Sequence, residues 1–169
     1  MTQPEVWLRG PLPDYIDELQ PVAHSLLQVR EELARARSLP ADRLWTRPGG
    51  AASVGFHLKH LAGSLDRLLT YAAGKQLNAA QHEYLANEAR DTGESVAMLV
   101  TLAEAAIDRA LTHVRTTPLC TLDESREVGR ERLPSTVLGL LFHTAEHAQR
   151  HSAQIITTAK VLSGNRVTG

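Results

Sequence analysis

The sequence predicts an all-α fold, a four-helix bundle with one long crossover connection. Apolar residues recur at helical spacing in four long segments, and Gly and Pro clusters punctuate the chain between them. One connection is also long enough to return along a bundle. At 169 residues the chain fits one domain, 1–169, with enough core to be stable without disulfide or metal staples.

The opening residues 1–13 carry Trp7 and prolines at Pro4, Pro11 and Pro13, and read as an irregular N-terminal arm. Val22, Leu26, Val29 and Leu33 place a first helix from Asp14 or Pro21 to Arg37, with Pro21 either opening it or kinking it. Pro40 to Trp45 offers one short turn, stopped by Pro48-Gly49-Gly50. Ser53 is an N-cap for a second helix that runs to Tyr71 or Ala73 and stops at Gly74. Its residues Val54, Leu58, Leu61, Leu65, Leu68 and Ala72 alternate by four and three, as a bundle seam does. Lys75 to Arg90 forms the crossover, with room for one short helix. Asp91-Thr92-Gly93-Glu94 has the form of a capping box and starts a third long helix, Glu94 to Arg115, closed by Pro118. Leu119 to Leu133 is polar and reads as a loop or short hairpin around Gly129. Pro134-Ser135 opens the last helix, which runs to about Leu162 ahead of Gly164.

Composition narrows the function. With 18 basic and 19 acidic residues the net charge is −1, which gives no electrostatic case for nucleic acid or an anionic membrane surface. No stretch approaches the ~18 uninterrupted apolar residues of a membrane span. The N-terminus lacks a basic-then-apolar signal pattern, and the single Cys120 excludes a disulfide framework or a Cys-rich zinc site. A reducing, cytoplasmic location is the expectation.

The eight histidines are the unusual feature. His143, His147 and His151 lie four apart on the last helix and form one stripe, continued by Gln154 and Ile155. Buried imidazoles need partners, and a divalent metal serves several at once; the alternative is a histidine hydrogen-bond network. A third ligand must come from another helix, and the second helix offers His57 or His60. On a helical wheel His57 lies nearer the middle of the apolar face and His60 on its flank, so spacing leaves that choice open. His143-Thr-Ala-Glu146-His147 also has the H-x-x-E-H form of a metalloprotease family, but no Asp or Glu follows His147 to complete such a site. His24, His82 and His113 are isolated and read as ordinary residues.

Two segments carry a resemblance. Ser53-Val-Gly-Phe-His57-Leu-Lys-His60-Leu-Ala and His143-Thr-Ala-Glu-His147-Ala-Gln-Arg-His151-Ser-Ala-Gln154-Ile resemble the DinB-like (YfiT-like) family of bacterial metal-binding four-helix bundles. In that family a Ser or Thr at a helix start precedes a ligand histidine by seven residues, and two more histidines stand four apart with a polar residue three further on. The resemblance therefore implies His60, His147 and His151 as metal ligands, with Gln154 beside them. Two positions depart from the family pattern: Ala52 stands where a Trp is frequent, and Ala153 where a Gly is frequent. The family further implies zinc or nickel, frequent homodimers and, in some members, a thiol-dependent transferase or isomerase. A low-molecular-weight thiol and a small-molecule substrate would then be the partners.

Three neutral histidines leave a divalent ion with open positions, as in a catalytic site; imidazole also suits iron. The expected function is thus a metal-dependent enzyme, first a thiol-dependent S-transferase or isomerase and second a hydrolase. The rival is a non-catalytic metal-binding stress or scaffold protein. His57 and His143 are expected to form a layer that orients the ligands, Gln154 to reach a ligand or a bound water, and Glu146 to lie at the surface. Both the N-terminal arm and the Gly74–Gly93 crossover are candidates to cover the site.

Overall fold

The computed structural model describes residues 3–164; Met1 and Thr2 of the arm and residues 165–169 of the expected domain lie outside the described residues. Five α-helices carry the fold: α1 (Gln20–Leu33), α2 (Val54–Ala72), α3 (Ala79–Asn87), α4 (Val96–Thr116) and α5 (Val137–Leu162). A two-stranded antiparallel hairpin, β1 (Ser125–Val128) and β2 (Leu133–Thr136), precedes α5. The fold is all-α apart from this hairpin. None of the helices is long and apolar enough to cross a membrane.

The four long helices each pack against two others: α1 and α2 both contact α4 and α5. Leu26, Val29 and Leu33 of α1, Leu58, Leu61 and Leu65 of α2, Leu99 and Ile107 of α4, and Leu141 and Ile155 of α5 fill the space between them, all at 1% exposure or less. The spacing that predicted the helices is therefore the spacing that builds the core. The connections came out differently from expectation. Residues 34–53, 73–95 and 117–136 are of similar length, so the α2–α4 crossover is not the single long one. Chain-successive α1 and α2, and likewise α4 and α5, sit across diagonals, and short 3-10 turns and the hairpin supply the length those diagonals need.

Several local expectations are corrected. Pro21 falls in the first turn of α1 and opens it without a kink. Val6, at 1% exposure, anchors the arm, while Trp7 is 61% exposed. The box expected at Asp91–Glu94 does not form. Ser95 is the N-cap of α4, accepting the Met98 N–H at 3.2 Å, and Asp91 accepts the Gly93 N–H at 2.9 Å. Glu94 instead pairs with the buried Lys59 at 3.0 Å. The capping box lies on α3, where Asn78 and Gln81 exchange side-chain bonds with each other's backbone N–H at 2.9 and 3.0 Å. Pro134 and Ser135 belong to β2, paired with Glu127 and Arg126, and α5 is capped by Thr136, which accepts from Gly139 at 3.0 Å. Pro134 has no N–H to give a helix start that the strand pairing has already claimed.

The crossover is pinned from below. Lys59 of α2, only 4% exposed, donates to the Arg90 carbonyl at 2.9 Å and to the Thr92 hydroxyl at 2.6 Å, and its ammonium stands 5.4 Å from the Trp45 ring centre. Burial works against ionisation of Glu94, but hydrogen bonds from Thr92 and Lys59 prevail and hold its carboxyl at about 2. Next to this clamp, α3 approaches α2 at Gly63. A Cβ there would strike the Glu88 carboxylate, the Tyr84 ring at 2.6 Å and the Arg67 guanidinium at 2.7 Å. Gly63→Ala should therefore destabilise the protein by about 1–3 kcal/mol in urea denaturation, although alanine is the better helix former. A variant as stable as the parent would mean that α3 is not seated this closely.

Candidate metal centre

The α5 stripe is set by its buried neighbours. Leu141, Thr144, Ala148, Ser152 and Ile155 face the core, which leaves His147 and His151 half-buried on the flank that meets α2. On α2, Leu58, Leu61 and Leu65 face the core, so His60 takes the flank toward α5 while His57 is buried at 8% exposure. Among the described residues, His60, His147 and His151 form the one group of His, Cys, Asp or Glu side chains whose ligand atoms converge, all within 4.8 Å of one another. The Nε2 atoms of His60 and His147 are 3.0 Å apart, and the His151 ring centre lies 4.5 Å from each of the other two. Such a cluster can hold a metal ion.

Two of the three rings are oriented from behind. Nδ1 of His60 donates to Oε2 of Glu88 at 2.7 Å, and Nη1 of Arg67 donates to Oε1 of the same carboxylate at 2.6 Å. Glu88 is 2% exposed, so this carboxylate is fully committed inside the protein. The bond fixes the His60 proton on Nδ1 and turns the Nε2 lone pair toward the cluster. Phe56 stacks on the His60 ring at 5.3 Å, with planes 17° apart. His57 Nδ1 lies 2.9 Å from His151 Nδ1. If Nδ1 of His151 donates there, its Nε2 is the free lone pair.

His57, His147 and His151 are shifted toward the neutral form. Burial, and then the neighbouring His60 and His143, bring His147 down to about 4. Burial, and then His60 and His147, bring His151 down to about 3. The same causes, burial and then His60, lower His57.

The remaining sequence-derived residues separate. His143 borders the cluster, its ring centre 5.3 Å from that of His147, but it lies outside the converging set and pairs with Glu146 at 2.6 Å. The H-x-x-E-H motif therefore does not assemble two histidines on one ion. Glu146 also pairs with Arg150 at 2.8 Å, on the outer side of α5 as expected. Gln154 is exposed and makes no hydrogen bond to any of these histidines. Sequence reasoning missed Glu88 and Arg67. The signal for Glu88 was available in Asn78-x-x-Gln81, which caps a short helix and puts Tyr84 and Glu88 on one of its faces.

The cluster is open on one side. His60 and His147 line a cleft of about 270 Å³ together with Ser64, Arg67, Leu68, Tyr71, Leu77, Leu85 and His143. The crossover, through Leu77 and Leu85, forms one wall of it. The arm packs elsewhere, against α1, where Val6 N–H meets Gln28 at 2.9 Å and Arg9 meets Glu31 at 2.7 Å.

The depressed histidines set a pH dependence. In the unfolded chain they titrate near the ordinary 6.5, and in the folded protein near 4 and 3. Between those limits the unfolded state binds protons that the folded state refuses, so stability is full above about pH 6.5 and falls as pH drops. Glu94 acts in a lower window, with its contribution present above its ordinary 4.5 and lost toward about 2. With chelator present, the urea midpoint should therefore fall between about pH 7 and pH 5, and a His147→Gln, His151→Gln double variant should flatten that fall. An unchanged slope in the double variant would locate the titration elsewhere.

A family model described as the DinB superfamily matches residues 25–155, a span that includes both histidine segments. No curated protein matches the chain.

Proposed function

The chain belongs to the DinB superfamily, and on that footing we propose that it is a divalent-metal protein whose ligands are His60, His147 and His151, and that it works as a thiol-dependent S-transferase or isomerase. In this reading the four long helices are the family's four-helix bundle. The observation that carries the proposal is the convergence of three imidazoles, two of which line a cleft. Zinc and nickel suit such a donor set, and iron is compatible with it. Held by three uncharged ligands, the ion supplies a full 2+ charge and open positions that favour the anionic form of a thiol or a water.

The chain's own residues supply the rest. Glu88 keeps the proton of His60 on Nδ1, and Arg67 keeps Glu88 in place. His57 steadies His151 from the buried side. The cleft wall admits a small molecule next to His60 and His147. Among the described residues no carboxylate joins the cluster: Glu88 is taken by Arg67 and His60, and Glu146 by His143 and Arg150. With no carboxylate placed as a general base, hydrolysis would rest on a metal-bound hydroxide alone, whereas the thiol reading asks for no such base. Cys120 is exposed in the turn after α4 and lines no part of the cleft, which points to an external low-molecular-weight thiol.

Elemental analysis of untagged protein tests the centre. Near-stoichiometric metal in the parent, lost in His60→Ala and His147→Ala, is the expected result. A parent that stays metal-free after reconstitution with zinc or nickel would overturn the proposal. Glu88→Gln should lose about 3–5 kcal/mol of stability, since Arg67 is left without its counter-charge, and the folded variant should bind metal roughly 10–100-fold more weakly, because the ring it orients loses its carboxylate partner. In cobalt-substituted protein a low-molecular-weight thiol should shift the visible spectrum. Turnover of ester or amide substrates without thiol would instead support the hydrolase.

A further inference from the structure

We propose that the apolar wall beside the histidine cluster, Leu68 and Tyr71 of α2 with Leu77 and Leu85 of the crossover, is a recognition surface for an uncharged aliphatic or aryl group. The molecule carrying that group would reach the histidines with its other end. This inference rests on the thiol reading above and names the class of ligand the same site selects.

Apart from the Tyr71 hydroxyl and the cluster histidines, the polar groups on the cleft wall are committed to the protein. Ser64 donates its hydroxyl to the Leu61 carbonyl at 3.1 Å, Arg67 is bound to Glu88 at 2.6 Å, and His143 is bound to Glu146 at 2.6 Å. The wall therefore shows a ligand little uncommitted charge, and what it offers is hydrocarbon. Leu85 is 44% exposed and Leu68 and Leu77 are only partly buried, although the core nearby is fully covered. Single exposed leucines are ordinary. Here, however, they share one concavity with two members of the histidine cluster, which is how binding sites combine apolar walls with a few convergent polar groups. A cleft of about 270 Å³ admits a small group and excludes a helix or strand of another protein.

Two of the wall residues come from the element that also delivers Glu88. No side chain of Ala79–Asn87 is fully buried; Gln81 bonds Asp66 at 2.6 Å and Thr70 at 2.8 Å, and Tyr84 bonds the Lys59 carbonyl at 3.2 Å. A ligand group lodged against Leu85 thus covers apolar surface that the fold itself leaves wet.

The test is a titration of cobalt-substituted protein with ethanethiol, butanethiol and hexanethiol, read from the visible spectrum. In the parent the dissociation constant should fall by up to about fourfold per added methylene until the cleft is filled. Leu85→Ser and Leu77→Ser should flatten that dependence while ethanethiol binds as before. Leu133→Ser, at an exposed leucine of β2, should leave it unchanged. Affinity independent of chain length in the parent, or an undiminished dependence in Leu85→Ser and Leu77→Ser, would overturn the recognition surface and leave the thiol reading intact. No spectral response to any thiol would overturn the thiol reading and this inference with it.

Discussion

Glu88 is buried to 2% exposure with both carboxylate oxygens occupied, one by Arg67 and one by His60. Taking a carboxylate and a guanidinium out of water is costly, and it is tolerated only where geometry and additional hydrogen bonds satisfy both groups. Removing one partner of such a pair typically costs about 3–5 kcal/mol, because the other charge is left uncompensated. The crossover must therefore bring Glu88 to one place, and several other features serve that requirement. Gly63 leaves room for the carboxylate, and Lys59 ties down the chain just after it through Arg90 and Thr92. Tyr84 packs beside the pair, where burial, and then the charge of Glu88, push its phenol up to about 12. His60 gains a fixed proton position as a result, so a structural ion pair and the orientation of a candidate ligand are one interaction.

Electrostatics around the histidine cluster point the same way. Burial disfavours protonation of His147 and His151, and the close-set neighbouring imidazoles add to this, so both keep their lone pairs well below neutral pH. Histidines placed this close gain nothing from one another as bases, and each ring can offer only one donor while neutral. His60 has Glu88 behind it and His151 has His57, which turns Nε2 of His60 toward the cluster as an acceptor, 3.0 Å from Nε2 of His147. Such a set could hold a metal ion, and among the described residues no carboxylate joins it to offset the ion's charge.

Much of this was legible in the sequence because it follows from periodicity. Val22 to Leu33, Val54 to Ala72 and the α5 stripe each obey a helical repeat, and a repeat fixes which residues share a face. His143, His147 and His151 all fall on that repeat, so the stripe could be read directly, while only the family resemblance singled out His147 and His151. The choice between His57 and His60 could not, because the wheel ranks residues by distance from the apolar centre, while the site occupies the flank where α5 meets α2. Only the family resemblance assigned His60. Glu88 escaped because the crossover has no long repeat and its contact with His60 spans 28 residues. The same limit explains the misplaced cap: Asp91 to Glu94 has capping-box form, but the buried ammonium of Lys59 competes for Glu94 from another element.

The position of the cluster also separates a structural metal from a catalytic one. Small metal-dependent domains fold around their ion because they have little other core. In this chain the four long helices contribute a continuous set of apolar side chains at or near zero exposure, from Leu19 to Ile155, and the cluster lies outside that set. His60 and His147 line a solvent-facing cleft rather than a sealed interior. A metal there would add to the affinity of one flank of α2 for one flank of α5, and the core would persist without it. Structural zinc sites are closed by four protein ligands, whereas three histidines, two of them lining an open cleft, would leave coordination positions for something from solution. On the scaffold reading the ion would hold the helices together; the packing of α1, α2, α4 and α5 already joins them, which supports the proposed catalytic reading.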